Sequence, residues 1–172
     1  MSFSIDAVAE FEDFVEDMYD FADEQALSVD TLIHENGAAQ LEINFNHGDP
    51  LDMADQVFVF KRTVRETAQR HNMYATFMAK PMQKEPGSAL HIHQSILSLD
   101  SGKNIFNSAD NEPTPELMHY IAGLQRYTPD LISYYAPNVN SYRRIAPDIS
   151  APINLSWGYD NRNTVSRVPD ST

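Results

Sequence analysis

The stretch Asp30-Thr31-Leu32-Ile33-His34-Glu35-Asn36-Gly37-Ala38-Ala39-Gln40-Leu41-Glu42-Ile43-Asn44-Phe45-Asn46 contains the change of period that decides the fold class. Leu41, Ile43 and Phe45 alternate with Glu42 and Asn44, the pattern of a strand with one apolar face. Thr31–Glu35 predicts a second short strand before it, and Asn36-Gly37 is a strong signal for a turn between the two. Such a hairpin brings Glu35 and Glu42 near each other across its mouth. On either side the period is helical.

Upstream, residues 4–26 predict an amphipathic helix, with Val8, Phe11, Phe14/Val15, Met18 and Phe21/Ala22 on the apolar face. Ser4 is its expected N-cap, and Asp6 in the first turn suits the helix dipole. Downstream, Asp49-Pro50-Leu51-Asp52 opens a long helix, with Asp49 as cap and Pro50 at the first position. Ala54, Val57/Phe58, Val64 and Ala68 form its expected buried stripe, and Asn72 its stop. Met73–Pro81 and Leu90–Leu97 predict strands, the second with His91, His93 and Ser95 opposite Leu90, Ile92 and Ile96. Thr114-Pro115-Glu116 caps a helix running to about Tyr127, and Pro129 is expected to start a new segment. Tyr135–Pro152, with Arg143 and Arg144, has the composition of an ordered functional loop, followed by short strands at Ile153–Trp157 and Val165–Val168. Helices mixed with strands, without regular βαβ alternation, define the class as α+β.

The 172 residues, 42% apolar and 22% charged, suit one soluble globular domain, or at most two small ones. No apolar run approaches the ~18–20 residues of a membrane span, and the acidic N-terminus is unlike the basic head of a signal peptide. With no cysteine there is no disulfide, no Cys-ligated metal and no thiol nucleophile, so a metal would need His and carboxylate ligands. A net charge of -13 argues against a nucleic-acid surface. The charges are segregated: no Lys or Arg precedes Lys61, and most acids lie before it. That split fits either a solvated acidic face or a division between oxygen ligands for cations and arginines for an anionic substrate.

Three constellations offer chemistry, each with a plainer alternative. Glu35 and Glu42 repel unless a proton or a hard cation such as Mg²⁺ or Mn²⁺ lies between them, or else they are simply solvated. His91, His93 and Ser95 share one strand face that could line a cleft or merely meet solvent. Arg144, Arg162 and Arg167, with neighbouring Arg143, suit phosphate or carboxylate recognition, or internal ion pairing. Glu85-Pro86-Gly87-Ser88 is a turn whose backbone can approach a ligand closely. Glycine-rich phosphate loops, a nucleophile elbow and an HExxH zinc motif are all absent from the sequence.

Six segments in order resemble the bacterial-type glutamine synthetases and their γ-glutamylpolyamine and γ-glutamylputrescine synthetase relatives. They are His34-Glu35…Gln40-Leu41-Glu42, Ala75–Pro81, Gly87–Ser95, Asn140–Arg144, Ala151-Pro152 and Asn161-Arg162…Arg167-Val168-Pro169. The resemblance implies Glu35 and Glu42 as ligands of the substrate-side metal and His91 as a ligand of the metal beside the ATP phosphates, the metals being Mg²⁺ or Mn²⁺. It implies His93, Ser95 and Asp30 as nucleotide contacts, Gly87 and Arg144 as glutamate contacts, and Arg162 and Arg167 as phosphate-side arginines, with Arg144 and Arg162 catalytic. The implied reaction is ATP-dependent phosphorylation of the glutamate side chain, followed by attack of an amine on the acyl phosphate.

Two departures modify that expectation. Ser150 stands where glutamine synthetases proper carry a Glu that takes a proton from ammonium, which favours a polyamine such as putrescine over ammonium as acceptor. Pro86 replaces a frequent Asn, so only the Gly87 backbone contact carries over. Residues 1–172 are expected to be the central part of the family's catalytic domain, an antiparallel curved sheet with flanking helices. The N-terminal β-grasp domain and the C-terminal part of the catalytic domain are expected to be absent, and the chain alone is expected to be inactive. The resemblance implies that full-length relatives form ring-shaped homo-oligomers, and the expected location of this chain is the cytoplasm. A glutamine synthetase using ammonium, and a non-catalytic acidic domain binding metal or a partner protein, are the rival readings.

Overall fold

The computed structural model describes residues 9–108, 110, 112–146 and 152–169. The expected cap at Ser4, with Asp6 and Val8, and the Ser150 position lie outside the described residues. The order of elements is α1 (Glu12–Glu24), β1 (Val29–His34), β2 (Leu41–Phe45), α2 (Pro50–Arg70), α3 (Pro115–Tyr135), α4 (Val139–Arg144), β3 (Trp157–Tyr159) and β4 (Ser166–Val168). The class is α+β, as the change of period predicts. The chain divides into two compact units, Met1–Gly87 and Ser88–Thr172.

In the first unit α1 and α2 pack together over the β1–β2 hairpin. The core is Phe14, Met18, Ala22, Phe60, Val64 and Ala68, flanked by Leu32, Leu41, Ile43 and Phe45 from the hairpin. Phe14, Met18 and Ala22 recur every four residues, so one stripe of α1 is buried while its acids stay wet. Asp49 caps α2 as expected, its Oδ1 accepting from the N–H groups of Leu51 at 3.0 Å and Asp52 at 3.3 Å. Asn72, at φ +55°, takes the left-handed turn that ends the helix, as its position predicts. The buried stripe of α2 differs from the expected one. It runs through Phe60, Thr63, Val64, Thr67 and Ala68, while Ala54 and Phe58 are exposed. Phe60, not Phe58, lies in line with Val64 and Ala68 at intervals of four, and its ring meets Phe45 edge-on with centroids 5.1 Å apart.

The second unit is built on Phe106, Leu117 and Ile121, with Tyr120, Trp157 and Val168 packed against them. Thr114 caps α3 as expected, accepting from the Leu117 N–H at 3.3 Å. The helix does not end near Tyr127. It continues through Pro129 to Tyr135, the proline merely removing one N–H donor from the interior. The expected loop after Tyr135 contains the short helix α4, capped by Asn138, whose Oδ1 accepts from the Ser141 N–H at 3.1 Å. The C-terminal strands exist but pair parallel, Trp157 opposite Ser166 and Tyr159 opposite Val168.

Met73–Pro81 and Leu90–Leu97 are not ladder strands. The one pairing of either among the described residues is an isolated bridge between Leu97 and Asn104. Their sequences have strand composition, but a strand is defined by its partner, and beyond that bridge none of the described residues forms a ladder with them. No helix among the described residues is long and apolar enough to cross a membrane.

Candidate functional site: a carboxylate face on the hairpin and a bracketed loop

The hairpin register sorts its side chains onto two faces. Leu32 pairs with Ile43 and His34 with Leu41, which fixes these as the face that meets the helices. Ile33 pairs with Glu42, so both belong to the opposite face. Glu35 lies two residues beyond Ile33 on that same side, its backbone still donating to the Gln40 carbonyl at 2.8 Å. Thr31 and Asn44 join side chains at 3.1 Å on this face. The expected proximity of the two glutamates therefore has a structural basis: they are diagonal cross-strand neighbours on the face turned away from the core. Both are half-buried, and neither meets a lysine or arginine among the described residues. His34, adjacent in sequence, is 8% exposed on the core face, and its Nδ1 has no partner among the described residues.

The turn itself is longer than Asn36-Gly37 alone predicts. The loop runs from Glu35 to Gln40, with Ala39 at φ +53°. Glu35 Oε2 accepts from the Asn36 backbone N–H at 3.1 Å and from Asn36 Nδ2 at 3.4 Å. Gln40 folds back so that its Oε1 accepts from the Gly37 N–H at 2.9 Å, while its Nε2 donates to the Gly87 carbonyl at 3.1 Å. A parallel tether runs from the Ala38 N–H to Glu85 Oε2 at 3.2 Å, and Lys80 Nζ donates to the Glu85 carbonyl at 2.6 Å. The loop carrying Gly87 is thus fastened to the end of the hairpin carrying Glu35 and Glu42. Sequence reasoning missed Gln40, Lys80 and Glu85 in these roles. The one available signal was a glutamine, with both donor and acceptor, beside a glycine in a tight loop.

Asp30 is exposed near the start of β1 and close enough to Tyr19 on α1 to act on it. Burial raises the Tyr19 hydroxyl above the usual tyrosine value, and the Asp30 charge adds to the rise.

The remaining expected residues lie in the second unit. His91, His93 and Ser95 are exposed on a segment secured near its end. There Tyr120 OH donates to Gln94, and the Ile105 N–H donates to the Ile96 carbonyl at 2.9 Å. Tyr120 is itself raised above its usual pKa, first by burial and then by Tyr135. Arg144 closes α4 and is half-buried, with its Nε enclosed and without a hydrogen-bond partner among the described residues. Arg162 is exposed in the turn between β3 and β4, where Asn161 Oδ1 accepts from the Asn163 N–H at 2.9 Å. Arg167 projects from β4, opposite Gly158. An open groove along α3, between His119 and Tyr135, is lined by none of the expected site residues.

The donor set on the hairpin, two carboxylates without a cation partner among the described residues, fits a hard divalent cation. Two protein ligands are fewer than such an ion takes, and no group of three His, Asp or Glu residues comes together among the described residues.

The carboxylate pair thus belongs to the outer face of the hairpin in the first unit, and the exposed histidines and the arginines belong to separate elements of the second. The glutamine synthetase catalytic domain model matches residues 1–172, and the chain belongs to that family. It is 38% identical over 168 residues to gamma-glutamylputrescine synthetase PuuA of Escherichia coli, covering 97% of this chain and 35% of that protein. It is 41% identical over 143 residues to the glutamine synthetase of Pyrococcus horikoshii, covering 83% of this chain and 32% of that protein. Among solved structures, ligand-free GmaS superposes with a TM-score of 0.85 at 27% identity, over 96% of this chain and 39% of the other. An ADP complex of GmaS gives a TM-score of 0.83 at 28% identity, over 96% of this chain and 40% of the other. The chain spans about one third of the length of the curated relatives it matches.

Proposed function

We propose that this chain carries part of the active centre of an ATP-dependent ligase that joins the side-chain carboxylate of glutamate to an amine, with a polyamine such as putrescine as acceptor. The observation that carries the reading is the pair Glu35 and Glu42. They are like charges on one face of a hairpin, half-buried and without a cation partner among the described residues, in a chain matched from end to end by the glutamine synthetase model. The likeness to a γ-glutamylputrescine synthetase supports the choice of acceptor.

In the reaction, a glutamate side-chain oxygen attacks the terminal phosphorus of ATP and ADP leaves. The amine nitrogen then attacks the acyl carbon, phosphate leaves and the nitrogen loses a proton. Glu35 and Glu42 would hold a divalent cation, Mg²⁺ or Mn²⁺, on the substrate side, and His91 another beside the nucleotide. The bound metal supplies charge neutralisation at the phosphoryl oxygens. His93, Ser95 and Asp30 contact the nucleotide. Arg162 and Arg167 bind its phosphates, and Arg162 stabilises the charge that develops on the transferring group. Arg144, whose enclosed Nε has no partner among the described residues, binds the glutamate carboxylate, and the Gly87 backbone contacts the same substrate. Ser150 leaves the acceptor subsite without a carboxylate to pair with ammonium. The cytoplasm as location, a ring-shaped homo-oligomer as assembly, and inactivity of these 172 residues alone belong to the same proposal.

The test of acceptor choice is a chimera in which residues 1–172 replace the matching stretch of the E. coli γ-glutamylputrescine synthetase. Phosphate release with ATP and glutamate is followed with putrescine or ammonium. The expected result is a preference for putrescine that Ser150→Glu moves towards ammonium. A chimera that prefers ammonium, or a preference indifferent to Ser150→Glu, overturns the acceptor assignment. Amine-stimulated phosphate release by the 172-residue chain itself overturns the inactivity claim.

A further inference from the structure

We infer that Gln40 is a positioning residue that aims the Gly87 carbonyl at the α-amino group of the amino-acid substrate, which makes it a determinant of specificity for an amino acid over a plain dicarboxylate. This rests on the proposed glutamate site at Gly87. The Gln40 carboxamide is held at both ends: Oε1 takes the Gly37 N–H at 2.9 Å and Nε2 gives to the Gly87 carbonyl at 3.1 Å. A carbonyl oxygen has two lone pairs, and with one engaged by Gln40 the direction of the other is set. An α-ammonium group, carrying only donors, is the complementary ligand. A dicarboxylate without that amine has nothing to offer the same oxygen. The Gln40 side chain thereby links the hairpin to the Gly87 loop, beside the Ala38–Glu85 contact.

Two further features isolate the role of this amide. A Cβ at Gly37 would stand 2.6 Å from Gln40 Oε1, so Gly37→Ala displaces the amide without altering its chemistry. Gly37 does not adopt a positive φ, so alanine is compatible with the backbone there. Gln40→Glu does the converse: it keeps an acceptor for the Gly37 N–H but replaces the donor to Gly87 with an anionic oxygen. The Ala38–Glu85 and Lys80–Glu85 contacts remain in either variant to keep the loop attached.

The experiment measures binding of L-glutamate and of glutarate, which lacks the amine, to the 172-residue chain with Mg²⁺ and ADP. The wild-type chain is expected to prefer L-glutamate. Gln40→Glu and Gly37→Ala are each expected to reduce that preference about three- to tenfold, the effect of one misdirected hydrogen bond. The double variant is expected to lose little more than Gln40→Glu alone, because both act on one amide. An unchanged preference in both single variants overturns the inference. So does an equal loss of affinity for both ligands, which a merely structural role would give. If the wild-type chain binds neither ligand, the glutamate reading fails on its own. The inference is then decided by the Gly87 carbonyl-carbon resonance. Displacement in both variants with unchanged melting temperature retains Gln40 as the residue that sets this carbonyl, and an unmoved resonance overturns it.

Discussion

Replacing Glu42 with glutamine removes one of two like charges on the outer face of the hairpin, and the consequence has opposite signs with and without metal. Glu42 pairs with Ile33, and Glu35, whose N–H donates to Gln40, is one step diagonal to it on the same face; diagonal neighbours of this kind stand about 7–8 Å apart. At that separation the repulsion between full charges is about 0.5 kcal/mol in water and about 2 kcal/mol at the effective dielectric of a protein surface. Both residues are half-buried, so about 1 kcal/mol is the working figure. For a chain of 172 residues that corresponds to a rise in melting temperature of about 2–4 °C in EDTA at low salt. The gain should shrink as ionic strength rises. With Mn²⁺ the order reverses. A metal held at about a hundred times its Kd stabilises the wild-type chain by about 2.7 kcal/mol, whereas Glu42→Gln, having lost a ligand, gains little. Thermal melts in EDTA and in a Mn²⁺ series read both arms. A variant less stable than wild type in EDTA, or one that keeps the full Mn²⁺ shift, refutes the reasoning that this pair is a strained cation site.

Met18→Ala in the wholly buried centre of the first core should cost about 2–5 kcal/mol, read as an earlier urea transition. Asp49→Ala removes the acceptor of two N–H groups at the start of α2 and should cost about 1 kcal/mol in the same assay. Tyr19 has a folded-state pKa raised above its unfolded value by burial and then by Asp30, so it favours the fold at neutral pH. That contribution is lost as pH rises from about 10 through the folded value. Asp30→Asn should therefore lower the Tyr19 midpoint in an ultraviolet alkaline titration, and an unmoved midpoint counts against the placement of Asp30.

Much of the first unit is legible in local sequence patterning. The alternation Leu41-Glu42-Ile43 assigns the strand, and because pairing fixes faces it also assigns Glu42 to the side away from the core. Asp49-Pro50 and Thr114-Pro115 mark both long helix starts, since capping is a local interaction. Sequence patterning fails where the answer depends on distant residues. Pro129 has the local signature of a break, yet the rest of α3 sustains the helix around one missing donor. Met73–Pro81 and Leu90–Leu97 have strand composition, but ladder formation needs a neighbour. Phe58 and Phe60 are equally apolar; the four-residue interval to Val64 and Ala68 favours Phe60, and packing against Phe45 fixes it in the core. The candidate residues come from family resemblance more than from spacing. Resemblance by motif does not reveal the Gln40 bracket, because a side chain joining residues 37 and 87 leaves no periodic trace.

The measurement that bears most directly on the ligase reading is a titration of the chain with ATP in the presence and absence of Mn²⁺. The account predicts nucleotide binding that requires the metal and is lost in His91→Ala, a substitution at an exposed side chain that should leave the melting temperature unchanged. Metal binding with no effect of nucleotide, or nucleotide binding equally strong in His91→Ala, would contradict it and favour an acidic cation-binding domain without ligase chemistry.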